Sequence, residues 1–197
     1  MLQAPYDAAH ARLVIREMTD ALALDLVEKG LVTDQVALTV GYDRESLTDP
    51  ARRAAYHGPI ENDGYGRMVP KAAHGSLPLG DYTSSARWLI SAVTALFDRI
   101  VDPNLLVRRM YVVVCRVLPE EDVQENVPEQ LNMFMDYAAE QRRRTIEAAA
   151  REKERRQQRA VLDIKKRFGK NAILKGMSYL EGATARQRNG QIGGHRA

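Results

Sequence analysis

Apolar residues recur along the chain at two periods, and together these lay out its elements. Across Asp7–Lys29, Ala11, Ile15, Met18, Leu22 and Leu26 fall three or four residues apart and share one face of a helix. Asp7 is placed to cap the start of this helix, and Gly30 to supply the left-handed residue at its end. Over Gln35–Tyr42 the period drops to two. Val36, Leu38 and Val40 alternate with Gln35, Ala37 and Thr39, as in a strand with one buried face. Residues 43–71 show neither period and carry loop punctuation at Asp49-Pro50, Gly58-Pro59, Gly64 and Gly66. So long a connection is unusual in a compact domain and is often functional. Alternation returns weakly over residues 72–82, where Leu77 and Leu79 alternate with Ser76 and Gly80. Pro78 has no N–H to donate, which argues for an edge or a bulge there. Thr83, Ser84 and Ser85 open a second helix with the stripe Ala86, Ile90, Val93, Phe97 and Ile100, ended by Asp102-Pro103. Val107–Val117 is dense in β-branched residues and is the clearest strand. Met110, Val112 and Val114 face one way, and Arg109, Tyr111 and Val113 the other.

The order helix, strand, strand, helix, strand is that of a split β-α-β module without its first strand. Met1-Leu2-Gln3 leaves room for a stub only, which suggests truncation at the N-terminus relative to a larger parent. The alternative is that three strands and two helices suffice. Residues 118–136 are acidic, contain Pro119 and Pro128, and read as a linker. Residues 137–168 are nearly free of helix breakers and predict a helix about 48 Å long at ~1.5 Å per residue. Its first part has few large apolar residues and is expected to lie off the core. Val161, Leu162, Ile164 and Phe168 make its far end apolar enough to bind something. Gly169–Ala197 is Gly-rich, basic and expected to be irregular. The expected organisation is therefore a domain over 1–118, a linker over 119–136 and a basic helical tail over 137–197.

Composition adds boundaries to this plan. The chain has 197 residues, 45% of them hydrophobic, enough for one modest core plus extra segments. The single Cys115 excludes an intramolecular disulfide framework. No apolar run reaches the roughly 18–20 residues of a membrane span, and the N-terminus has no basic-then-apolar leader. A soluble cytoplasmic protein without a membrane partner is expected. The net charge of +3 conceals two opposed parts. Residues 141–197 hold 16 Lys+Arg against 5 Asp+Glu, whereas residues 1–140 hold 13 against 21. So basic a C-terminal third points to a polyanion or an acidic surface, or else to a solvated basic helix.

Candidate chemistry is sparse. His10, His57, His74 and His195 show no ligand spacing and no cysteine pairs with them, so no metal or cofactor is expected. Gly64-Tyr65-Gly66 and Gly193-Gly194 lack the strand–loop–helix context of a phosphate loop. Glu120-Glu121-Asp122 reads as solvated linker, and no set of residues suggests a catalytic site. Three features suggest binding instead. The stretch Gln130-Leu131-Asn132-Met133-Phe134 suits a shallow apolar groove, or else starts a short helix. Thr83, Ser84 and Ser85 sit where a helix N-terminus attracts phosphate, or else simply cap it. Arg108, Arg109 and Tyr111 lie on the last strand, where an open face contacts nucleic acid or is merely solvated.

Several stretches together resemble the C-terminal part of Y-family translesion DNA polymerases of Gram-positive bacteria, proteins of UV-damage repair. They include Ala11–Met18, Leu24–Gly30, Val32–Gln35, Leu38–Asp43, His74-Gly75, Tyr82–Ser85, Leu105–Arg109, Ile164–Asn171 and Gln191–His195. The resemblance implies an α+β fold of the little-finger type. That is an antiparallel sheet, here three strands plus a stub of a first, backed by two helices and followed by the long basic helix and irregular tail. It implies a DNA-binding role in DNA repair, the SOS response to DNA damage, and translesion synthesis, with duplex template–primer DNA as partner. Phosphate contacts are expected from Lys71, His74, Thr83, Ser84, Arg108 and Arg109, with Tyr111 on the same surface. It further implies docking on the bacterial sliding clamp through Gln130, Leu131, Met133 and Phe134. The family's metal-binding palm lies upstream of this region, so the chain by itself is expected to be non-catalytic. A separately encoded palm, fingers and thumb part is then a further candidate partner. The basic tail is expected to contribute much of the DNA affinity. The rival reading is an adaptor that binds protein or RNA through the basic helix.

Overall fold

The computed structural model describes residues 2–123, 137–192 and 195–196. Helix α1 (Ala8–Lys29) starts where Asp7 accepts the N–H of His10 at 2.8 Å. It ends at Gly30, whose φ of +65° lets its N–H turn back to Leu26 and Val27. Strand β1 (Leu31–Tyr42) follows at once. Short helices α2 (Glu45–Thr48) and α3 (Pro50–Ala55) lead to a small hairpin of β2 (Ile60–Asn62) and β3 (Met68–Pro70). Then come β4 (Ala73–Thr83), α4 (Ala86–Ile100), β5 (Val107–Cys115) and β6 (Leu118–Pro119), ending in a 3-10 turn over Glu120–Asp122. The C-terminal part holds α5 (Tyr137–Phe168), a 3-10 turn over Gly176–Tyr179, α6 (Ala185–Arg188) and the paired β7 (Gln191–Ile192) and β8 (His195–Arg196).

The main sheet is antiparallel, in the order β4-β1-β5, with β6 pairing the first residues of β1. The expected stub is present as hydrogen bonds to β5. Leu2 donates to Arg108 O at 3.0 Å, and Tyr6 and Val107 exchange bonds of 2.9 and 2.7 Å. Helices α1 and α4 cover one sheet face. Val36, Leu38 and Val40 of β1 are fully buried there with Ile15 of α1 and Leu89, Val93 and Leu96 of α4. Gly75 lets β4 lie close on α4, since a Cβ there would meet Leu96 Cδ1 at 3.0 Å and Ile100 Cγ2 at 3.1 Å. The chain is α+β, as the family resemblance implies.

Three differences from the sequence-based plan have local causes. Strand β1 begins at Leu31 rather than Gln35, because a register shift between Thr33 and Gln35 interrupts the period of two. Thr33 is buried at that shift and donates its hydroxyl to Cys115 O at 2.6 Å. The expected strand Val107–Val117 stops at Cys115, because Arg116 takes a φ of +51° while its Nε donates to Asp34 at 2.7 Å. The chain then turns so that Leu118 pairs with Val32. Residues 43–71, read as loop, contain two helices and a hairpin too short to show a period. The long helix spans the residues expected for it, and the peptide Gln130–Phe134 lies outside the described residues.

Candidate nucleic-acid interface

The cross-strand register decides what the uncovered sheet face carries. Thr39 stands opposite both His74 of β4 and Tyr111 of β5, so these three form one row. Gly41 opposite Arg109 extends it toward one end, and Ser76, Ala37 and Val113 toward the other. Since Val36, Leu38 and Val40 point into the core, this alternate set faces outward. Tyr111 is 57% exposed and Val113 51%. His74 Nδ1 lies 2.8 Å from Thr39 Oγ1, which fixes the ring against the sheet. Lys71 is exposed just before β4. The face thus offers a cation, an imidazole, hydroxyls and an aromatic ring, enough to hold a phosphate backbone without reading sequence.

The remaining expected contact residues are placed differently. Arg108 alternates with Arg109 and points elsewhere. Its Nη1 donates to Gln3 O at 3.1 Å, and its Nε lies 3.6 Å from Asp43. Thr83 and Ser84 are buried at the start of α4. Thr83 Oγ1 accepts the N–H of Ser85, and Ser85 Oγ accepts that of Trp88, so both hydroxyls cap the helix. An anion already occupies this N-terminus, and it comes from the chain itself. Glu154 of α5 accepts Ser85 Oγ–H at 2.6 Å and the Arg87 N–H at 2.9 Å. One turn on, buried Gln158 donates to Ser84 O at 3.1 Å.

The basic C-terminal segment therefore lies on the acidic domain. Arg151 sits 3.6 Å from Asp81 and 5.2 Å from the Trp88 ring centroid. Arg155 pairs with Glu120, Lys166 with Glu28 at 3.0 Å, and Lys175 with Asp20. The anchor is Glu17 of α1, only 3% exposed. It accepts the N–H groups of Thr184 at 2.8 Å and Ala185 at 3.0 Å, and lies 3.6 Å from Arg188. Burial pulls the Arg188 guanidinium pKa down, and Glu17 opposes that shift. Gly182, with φ of +79°, packs against His10 so closely that a Cβ would stand 2.1 Å from the ring. Arg151, Arg155, Lys166, Lys175 and Arg188 thus meet part of the charge asymmetry inside the chain. In the first part of α5, residues 141–143 and 145–149 are exposed, as its composition predicts.

Sequence reasoning missed the hairpin of β2 and β3, which rises beside the open face. Asp63 holds its tip. It accepts the N–H groups of Tyr65 at 2.9 Å and Arg67 at 3.0 Å, and the Arg67 guanidinium at 2.8 and 2.6 Å. These bonds, chiefly the guanidinium's, lower the Asp63 pKa to about 2 from 3.8. A depressed carboxylate pKa contributes order fully above about 4, and the contribution is lost as the pH falls through about 2. Amide exchange at Tyr65 and Arg67 is therefore expected to stay slow on acidification to pH ~3 and to rise only near pH ~2. Fast exchange already near pH ~4 would mean that Asp63 does not hold the tip. The Asp63-Gly64 pair was the available signal for this turn, but the strands flanking it are only three residues long.

These features define an α+β module with two helices on one sheet face, the other face left open, and a basic segment strapped across the helices. The chain belongs to the impB/mucB/samB family, whose C-terminal domain matches residues 3–133; this is the little-finger region of Y-family polymerases. Membership places the chain in DNA damage tolerance and implies DNA as its partner. Comparison with curated proteins and with solved structures returned no match. Among the described residues, no helix is long and apolar enough to cross a membrane.

Proposed function

We propose that the chain grips duplex template–primer DNA on its open sheet face and docks on the sliding clamp through Gln130, Leu131, Met133 and Phe134. The observation that carries the DNA reading is the register, which sets His74, Thr39 and Tyr111 in one outward row with Arg109 at its end. Lys71 stands beside that row. Contacts from Thr83 and Ser84 require Glu154 and Gln158 to move away, and a contact from Arg108 requires it to leave Asp43. Arg151, Lys166 and Lys175 of the tail already face acidic partners on the domain, which favours first contacts from the sheet. Phosphate contacts position the duplex whatever its sequence, and cytoplasmic replication intermediates are the matching substrate.

The test is fluorescence anisotropy of labelled duplex against salt. Arg109→Glu is expected to weaken binding about tenfold or more and to reduce the slope of log affinity against log salt by about 1. The same affinity and slope in the variant would remove the sheet face from the reading. The clamp reading rests on the match of four residues to the family's clamp peptide.

A further inference from the structure

Apart from Ile146, the large apolar side chains left in water fall into three groups. Ile60, Tyr65 and Met68 belong to the hairpin, and Tyr111, Val113 and Val117 to β5 and the turn after it. The third group, Phe168, Tyr179 and Leu180, lies on the strap and is 74%, 65% and 58% exposed. The strap covers α1 and α4, so DNA held on the open sheet face leaves this group untouched. The end of the strap is also well tied. Asn171 Nδ2 donates to Arg186 O at 3.2 Å, and Asn189 Nδ2 donates to Asn171 Oδ1 at 2.7 Å. In the 3-10 turn that carries Tyr179, Ser178 is buried, and Lys175 just before it pairs with Asp20 of α1. The Arg186 guanidinium lies 5.7 Å from the Tyr179 ring centroid. Residues 164–197 hold eight Lys and Arg against one acid, Glu181. Lys166, Lys175 and Arg188 are engaged by the domain. Among the described residues, the side chains of Arg167 and Lys170 have no hydrogen-bond or ion-pair partner, and that of Arg186 meets the Tyr179 ring.

We infer that the turn at Tyr179 and Leu180 is a docking surface for an acidic segment of another protein. The segment lays an apolar side chain on Tyr179 and Leu180 and sets its carboxylates against Lys170 and Arg186. An exposed tyrosine beside an arginine, both on a fixed backbone, is the composition of an interface anchor, and little order remains to be imposed on binding. Leu180 offers aliphatic surface, which packs against a protein side chain but gives a base nothing to stack on. The surrounding charge then selects among proteins. A basic segment would bring like charges together at Arg167, Lys170 and Arg186, whereas an acidic one pairs them. Glu181 is the single opposing charge in this part of the chain. The inference uses the helical side of the domain and does not rest on the duplex-gripping reading.

The experiment selects displayed random peptides of about 16 residues on the full chain and titrates the enriched sequences by fluorescence anisotropy. Enriched peptides are expected to carry net negative charge and at least one large apolar residue. Tyr179→Ala is expected to weaken their binding about tenfold or more, and Tyr179→Phe to preserve it. Leu180→Ala leaves the contact between Arg186 and Tyr179 in place and is expected to weaken binding as well. Both side chains are exposed, so neither change touches the bonds at Glu17. Failure to enrich any peptide would overturn the inference. So would enrichment of neutral or basic peptides, or binding that both alanine variants retain. Blunt duplex and oligothymidine are titrated in parallel, and their affinities are expected to be the same in Tyr179→Ala as in the wild-type chain. A tenfold loss of either would assign the turn to nucleic acid and overturn the inference, while leaving the open sheet face to be judged by Arg109→Glu.

Discussion

Glu17→Ala is expected to detach the C-terminal segment from the domain. Glu17 is a carboxylate on α1 with only 3% exposure, and its acceptor capacity is what holds Thr184, Ala185 and Arg188 in place. Its loss leaves two amide N–H groups and a largely covered guanidinium without their acceptor. Breaking a buried ion pair by removing one partner costs about 3–5 kcal/mol, because the remaining charge is stranded. The surface pairs along the strap, Lys166 with Glu28 among them, are worth roughly 0–1 kcal/mol each and do not make up that loss. Trypsin is expected to cut within residues 151–188 of the variant at concentrations that leave that segment of the wild-type chain intact, while residues 2–123 stay protected. Glu17→Gln keeps a carbonyl acceptor for the amides and should fall between the two. A digestion pattern the same in all three proteins would show that Glu17 does not anchor the strap.

The second large effect concerns the proposed clamp peptide. Leu131→Ala with Phe134→Ala is expected to reduce clamp binding about a hundredfold or more, below detection in a pull-down. A short peptide concentrates its binding energy in a few apolar anchors, and truncating an anchor costs about 2 kcal/mol or more each. The two losses together amount to ~4 kcal/mol, or roughly a thousandfold at 1.4 kcal/mol per factor of ten. Gln130→Ala should give a smaller loss. Surface plasmon resonance with purified clamp measures all three, and undiminished binding by the double variant would remove the peptide from the function.

Local chemistry was legible in the sequence wherever one element decided it. Asp7 and Gly30 bracket α1 because a cap and a left-handed residue act within one turn. Met110, Val112 and Val114 separate from Arg109, Tyr111 and Val113 because a strand alternates. The order of helices and strands followed from these periods, and the α+β class from the family resemblance. What the sequence did not show depends on pairs far apart along the chain. Nothing near Ser85 signals that its hydroxyl meets Glu154, 69 residues on, rather than a phosphate. Nothing near Glu17 signals that a charge inside an amphipathic pattern is an anchor rather than a solvated position. Composition reports the charge of the tail and not its neighbours, so Arg151, Arg155, Lys166 and Lys175 gave no sign of their partners on the domain. The hairpin of β2 and β3 was hidden in a stretch whose elements are shorter than either period.

The anchor at Glu17 also sets an order of events during synthesis. Its partners Thr184 and Ala185 lie 167 and 168 residues later. At about 5–20 residues per second, α1 leaves the ribosome roughly 8–33 s before the segment that completes it. The sheet can close once β5 has emerged, but the helical layer keeps an unmatched buried-type carboxylate until translation of the tail ends. Nascent chains that stall after β5 thus carry a folded sheet with its acidic back uncovered. The first helix of the chain is the last to reach its final surroundings.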